Sequence, residues 1–196
     1  MGSREEILAA LRAAAPHATP LPELAQKFVQ FPDLRERFSQ SVVEVGGRCL
    51  RIEAMASLEA ELLKIPEYAS GKKIASLVPG VQRGSFDLAA VSDPHALEDV
   101  DFCVLQGELG VAENGAVWVT NHGGKNRAVA FLAQHLAIVV LAATLVPNLH
   151  EAYERLSLPS PGFGLFLAGP SKTADIEQAL VIGAHGARSC TVILVG

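Results

Sequence analysis

The sequence predicts an α/β fold: a mainly parallel sheet sandwiched by helices, with an inserted β-hairpin and an N-terminal helical arm. Three observations predict it. From residue 46 onward, short runs rich in Val, Ile and Leu alternate with segments of helical periodicity. The run over residues 136–141 is nearly continuous in apolar residues, as a strand covered on both faces is. Finally, Asn114-Gly115 stands between two strand-like runs within residues 108–121, and Asn-Gly is the strongest short signal for a two-residue hairpin turn. In sheets of this class ligands usually bind beyond the carboxyl ends of the strands.

The elements follow in order. Ser3 and Glu6 form a capping box ahead of Ile7, Leu8 and Leu11, whose spacing gives a short amphipathic helix with a narrow stripe suited to docking. Pro16, Pro20 and Pro22 make a stiff linker. A second helix begins at Pro32, carries Leu34, Phe38, Val42 and Val45 on one face, and ends at Gly46 and Gly47. Residues 1–45 are thus read as the arm and 46–196 as the α/β domain. Strands are expected over residues 48–53, 73–78, 100–105, 136–141, 164–168 and 190–195. Helices are expected over 58–65, where Pro66 stops the run, and over 127–134, 148–156 and 174–182. Between residues 128 and 146 only Gln134, His135 and Thr144 are polar, which approaches the roughly 20 apolar residues of a membrane span. Gln134 and His135 split that stretch, so it reads as a buried helix followed by a covered strand.

Composition narrows the function. With 49% apolar and 19% charged residues the chain is neither disordered nor collagen-like. A net charge of -5 argues against binding nucleic acid, which needs clustered Lys and Arg. Cys49, Cys103 and Cys190 are odd in number, far apart and without Cys-x-x-Cys spacing, which fits neither a disulfide framework nor a zinc or iron–sulfur site. The acidic start shows no secretory signal, and a reducing cytoplasm is expected.

Candidate site residues fall in three stretches. Glu113 stands directly before the Asn114-Gly115 turn; opening into a ligand crevice it can serve as nucleophile or general base, and otherwise it is a polar turn flank. The stretch Asn121-His122-Gly123-Gly124-Lys125-Asn126-Arg127 follows a strand and precedes a helix. Its backbone amides with Lys125 and Arg127 can converge on an anion, or the loop is simply basic and solvated. It is no Walker loop, because Asn126 replaces the magnesium-binding hydroxyl. In Gly169-Pro170-Ser171-Lys172-Thr173, Ser171 or Thr173 is expected to cap the helix over 174–182 and can also touch a ligand, while Asp175 and Glu177 meet the helix dipole and repel an anion. His150-Glu151-Ala152-Tyr153-Glu154 lacks the second histidine of a zinc motif and reads as a solvent-facing helix. His185, between Ala184 and Gly186, is a loop histidine able to act as acid or base, or simply to face water.

Taken together, the segment from Leu105 to Gly115 (LQGELGVAENG), residues 141–147, and above all Gly169-Pro170-Ser171-Lys172-Thr173-Ala174-Asp175-Ile176-Glu177 with Gly183-Ala184-His185-Gly186 resemble the LUD domain family, and within it the C-type lactate utilization proteins. The resemblance implies a fold similar to the ribose-phosphate isomerase and CoA-transferase superfamily. It also implies an accessory role in a system that oxidises L-lactate to pyruvate, with iron–sulfur clusters in partner subunits and none bound directly. A small-molecule anion is the expected ligand, held by Glu113, Asn114, Gly115, Asn121, Lys125, Arg127, Ser171, Thr173, Asp175 and His185, with Glu113 and His185 in catalytic positions. Glu113-Asn114-Gly115 is also similar to the glutamate turn of CoA transferases, which makes an independent enzyme using Glu113 the alternative. Relatives commonly carry hydroxyl residues where this chain has Asn114 and Ala116, so any ligand bond those hydroxyls make is missing here.

Overall fold

A computed structural model describes residues 2–14, 20, 28–84, 87–120, 127–156, 162–176 and 179–196. Helix α1 (Ser3–Ala13) is followed by α2 (Leu34–Glu44), β1 (Arg48–Ile52), α3 (Leu58–Leu62), α4 (Pro66–Ser70), β2 (Ile74–Ser76) and β3 (Phe102–Val111). Then come β4 (Ala116–Thr120), α5 (Val129–Leu132), β5 (His135–Leu141), β6 (Leu145–Val146), α6 (Leu149–Arg155), β7 (Gly164–Leu167), β8 (Lys172–Ile176), β9 (Ala179–Ile182) and β10 (Ser189–Val195).

β1, β10, β5, β3 and β2 form a parallel sheet in that order, so the expected mixed α/β architecture with a mainly parallel centre is present. Ile and Val dominate β5 and β10 because both of their faces are covered. On one face Ala137, Val139, Ile193 and Val195 meet Leu58, Leu62, Ile65 and Tyr68 of the α3–α4 region. The opposite face, with Leu136, Ile138, Val192 and Leu194, packs against Phe38 and Val42 of α2 and against Val117 and Val119 of β4. Helices alone therefore do not make the second layer, as the sequence pattern suggests. β3 is long enough to run past β5 after Gln106, and beyond it pairs parallel with β6 on one side and antiparallel with β4 on the other, β4 in turn pairing with β7. A register shift between Gly107 and Leu109 marks the change of partner. A β-carbon at Gly107 would stand 2.4 Å from Val117 Cγ1, so only glycine allows β4 to close down there.

The sequence stretch from 128 to 146 resolves into α5, β5 and β6, and no helix among the described residues is long and apolar enough to cross a membrane. Pro66 ends one helical segment and occupies the first turn of the next, where its missing N–H is not needed. α2 is capped by Asp33, whose Oδ1 accepts the Arg35 and Glu36 amides, and its Phe38 and Val42 are wholly buried. α1 has no buried residue, and its cap is Gly2, whose amide donates to Glu5 Oε2 at 3.2 Å; the Ser3–Glu6 box is displaced by one residue.

Two further expectations fail. The connection of the β3–β4 hairpin spans residues 112–115 and is not a two-residue turn, because the Ala112 and Glu113 amides are already donated to Val146 and Pro147 carbonyls and cannot join β4. The segment read as a helix over 174–182 is instead part of the antiparallel pair β8–β9, so neither Ser171 nor Thr173 caps a helix. β-Branched Thr173, Ile176, Val181 and Ile182 favour the extended form, and Ser171 anchors the hairpin by donating its N–H to Ala187 O and accepting at its carbonyl from Gly183 N, both at 2.9 Å.

Candidate functional site

The loop ending β7 and the loop entering β10 face each other because Ser171 is bonded to both Gly183 and Ala187. Between them lies a cavity of about 220 Å³. Its floor is Phe131 of α5, Leu136 of β5 and Phe166 and Leu167 of β7, and its polar side chains are Ser171 and His185. An apolar pocket with a few convergent polar groups is the usual form of a small-molecule site. A hydroxyl and an imidazole at its mouth can orient a ligand by hydrogen bonds and exchange a proton with it. Sequence spacing alone does not put residues 171 and 185 in one wall; the β8–β9 hairpin between them does.

The glutamate of the hairpin is elsewhere. Glu113 does not line that cavity; its Oε1 accepts the Leu149 amide at 2.8 Å, its N–H donates to Pro147 O, and its carbonyl accepts from Arg37 Nη2 at 3.3 Å. The carboxylate thus satisfies the first turn of α6, while Asn148 Oδ1 satisfies the Glu151 amide. Asn114 Oδ1 accepts the Ala116 amide and so closes its own turn. Gly115 has φ +68, and a β-carbon there would lie 2.6 Å from Val42 N, so the turn is held against α2 by glycine's missing side chain. Arg127 stacks over the Phe163 ring at 5.1 Å. Thr173 is in β8, paired with Val181. Asn121, Lys125 and the side chain of Asp175 lie outside the described residues.

A second opening lies at the amino ends of the parallel strands, opposite to where such folds usually bind ligands. It is a cleft of about 360 Å³ lined by Glu67, Ser70, Lys72, Asp101, His135 and Arg188, with Gly71 and Gln134. Phe102, His135 and Ser189 begin three adjacent strands in register, and His135 Nδ1 and Ser189 Oγ share a hydrogen bond at 2.8 Å, the hydroxyl donating or accepting according to the ring's tautomer. Partial burial holds the His135 imidazole below its ordinary pKa, against the pull of the Glu67 carboxylate. Asp101 is held below the ordinary carboxyl range by the Lys73 and Lys72 amides, which its Oδ2 accepts at 2.9 and 2.7 Å. No motif in the sequence announces this cleft, because its residues are scattered and only parallel register gathers them. No group of three or more His, Cys, Asp and Glu among the described residues is placed to hold a metal ion.

Fold and cavities together define a mixed α/β protein with a parallel core sheet and ligand-sized openings, one of them at the sheet's amino end. The LUD domain family matches residues 75–195, more than half of the chain, and the chain belongs to that family. Among solved structures it is similar to a DUF162 family protein from Deinococcus radiodurans, with a TM-score of 0.59 over 83% of this chain and 96% of that one at 15% identity, a likeness of fold. Among curated proteins it is similar to lactate utilization protein C of Halalkalibacterium halodurans, 32% identical over 104 residues covering 50% of this chain and 45% of the relative. The same protein of a Geobacillus species is 33% identical over 105 residues, covering 50% and 43%. Lactate utilization protein C 1 of Bacillus mycoides is 34% identical over 101 residues, covering 48% and 43%. The matched segment thus spans less than half the length of these relatives.

Proposed function

We propose that the chain is an accessory subunit of a system that oxidises L-lactate to pyruvate, with iron–sulfur clusters carried by partner subunits, and that the Ser171/His185 cavity holds its small-molecule ligand. The observation that carries this reading is membership of the LUD domain family together with relatives that bear the name lactate utilization protein C. The thiols support the division of labour. Cys103 and Cys190 are buried in the core on β3 and β10, and Cys49 stands apart on β1, without the grouped spacing of cluster ligands. Kinship of the fold with the ribose-phosphate isomerase and CoA-transferase superfamily belongs to the same proposal. An independent enzyme built on Glu113 is not favoured, since that carboxylate is engaged by the Leu149 amide.

The test is genetic and biochemical. Deleting the gene in its own host should abolish growth on L-lactate but not on pyruvate, and the tagged chain should co-purify with iron–sulfur proteins. Complementation by His185→Ala or Ser171→Ala should restore growth poorly. Undiminished growth of the deletion strain on L-lactate would overturn the proposal.

A further inference from the structure

The amino-end cleft carries its own chemistry, distinct from that of the Ser171/His185 cavity. Its acids are already committed: Asp101 accepts two backbone amides, and Glu67 pairs with Arg48 at 3.2 Å. Its cations are held more loosely: Lys72 attracts the Asp101 carboxylate through space, and Arg188 acts on the His135 ring. Among the described residues the side chains of Lys72 and Arg188, both exposed and both lining the cleft, make no ion pair and no hydrogen bond. The Gln134 side-chain amide, also in the lining, is equally uncommitted among those residues. Beside these donors stands the His135–Ser189 pair, a hydroxyl and a half-buried imidazole that can both accept and donate. Guanidinium and ammonium groups bind carboxylates by charge-assisted hydrogen bonds, and a neutral imidazole–hydroxyl pair suits an uncharged oxygen next to the carboxylate.

We infer that this cleft is a binding site for a small organic carboxylate bearing a hydroxyl or keto oxygen on the adjacent carbon, with Arg188 and Lys72 taking the carboxylate and His135, whose ring is oriented by Ser189, the second oxygen. A cavity of about 360 Å³ accommodates such a molecule together with bridging water. The inference rests on the cleft alone; L-lactate and pyruvate are two small members of the class.

Titrating the isotopically labelled full chain by NMR, with L-lactate, pyruvate, acetate and inorganic phosphate as probes, tests it. Lactate and pyruvate should shift the amides of Gln134, His135, Arg188 and Ser189 in a saturable way. Arg188→Gln and Lys72→Gln, both at exposed positions, should keep a dispersed folded spectrum and weaken lactate binding about tenfold or more. Ser189→Ala should weaken lactate but leave the weaker acetate response unchanged, a difference that general charge attraction does not produce. Absence of saturable shifts, indifference to Arg188→Gln, acetate bound as well as lactate, or phosphate bound better than the carboxylates would each overturn the assignment. A gene needed for lactate growth whose protein shows none of these shifts would lose the cleft and keep the assembly role. Shifts as expected from a protein dispensable for lactate growth would do the reverse.

Discussion

Glu113 shows how a side chain's partner decides its role. Its Oε1 accepts the Leu149 amide, a bond that needs an acceptor oxygen and not a charge. Glu113→Gln should therefore lower stability by less than about 1 kcal/mol and leave lactate growth intact. Glu113→Ala, which strands an amide in the first turn of α6, should cost about 1–2 kcal/mol. Urea midpoints of the two variants check this, and a growth defect in Glu113→Gln with normal stability would restore the carboxylate to chemistry. Thr191 is the opposite case. Its hydroxyl is buried in β10, at 1% exposure, with no hydrogen-bond partner among the described residues. A desolvated, unsatisfied hydroxyl is destabilising, and valine fills the same shape with a methyl group. Thr191→Val should stabilise the protein by about 1 kcal/mol, read as a higher urea midpoint with unchanged slope; a lower midpoint would show that the hydroxyl has a partner.

Among the elements, α1 and α2 look alike in sequence, both short and amphipathic, yet the structure treats them differently. Phe38 and Val42 of α2 are fully buried in the main core, whereas Ile7 and Leu11 of α1 are 60% and 62% exposed. Phe38→Ala should cost about 3–5 kcal/mol in chemical denaturation, and Leu11→Ala less than about 0.5 kcal/mol. A large loss from Leu11→Ala would mean that α1 is packed in solution. The strands β5 and β10 were legible because runs of Val, Ile and Leu fill most of their length, and β1, β2 and β7 because short apolar stretches there are bounded by Gly or Pro. The β8–β9 pair was not. Ile176, Ala179 and Leu180 satisfy helical spacing, and the competing extended form is fixed by Ser171 bonding to Gly183 and Ala187, contacts that lie outside the segment itself. The hairpin tip misled for a similar reason: Asn114-Gly115 did mark the turn, but long-range bonds from residues 112 and 113 to the β6 end lengthened it.

At the scale of the whole molecule, the parallel sheet gathers at its amino end what the chain keeps apart. Ser171 with His185 was half legible, since both lie in the family motif, whereas the cleft around His135 was hidden in the middle of an apolar run that pattern reading treats as core. The same covered sheet determines how the protein answers to alkali. Cys103 and Cys190 sit at 0% and 1% exposure on β3 and β10, and burial pushes their thiols up to about 12. In the unfolded chain each should titrate near about 8.5. A group whose folded pKa is raised contributes its stability below the unfolded value and loses it as pH rises toward the folded one, because the unfolded chain sheds its proton first. Above about pH 8.5 the loss from each thiol should therefore steepen toward roughly 1.4 kcal/mol per pH unit, so that the pair makes unfolding about 2 kcal/mol easier between pH 9 and 10. Urea denaturation under reductant across that range should show the fall in the wild type. The double variant Cys103→Ala/Cys190→Ala should begin less stable at pH 7, having lost two buried sulfurs, and then follow a much flatter alkaline limb. Parallel limbs would mean that these two thiols are not shielded by the sheet.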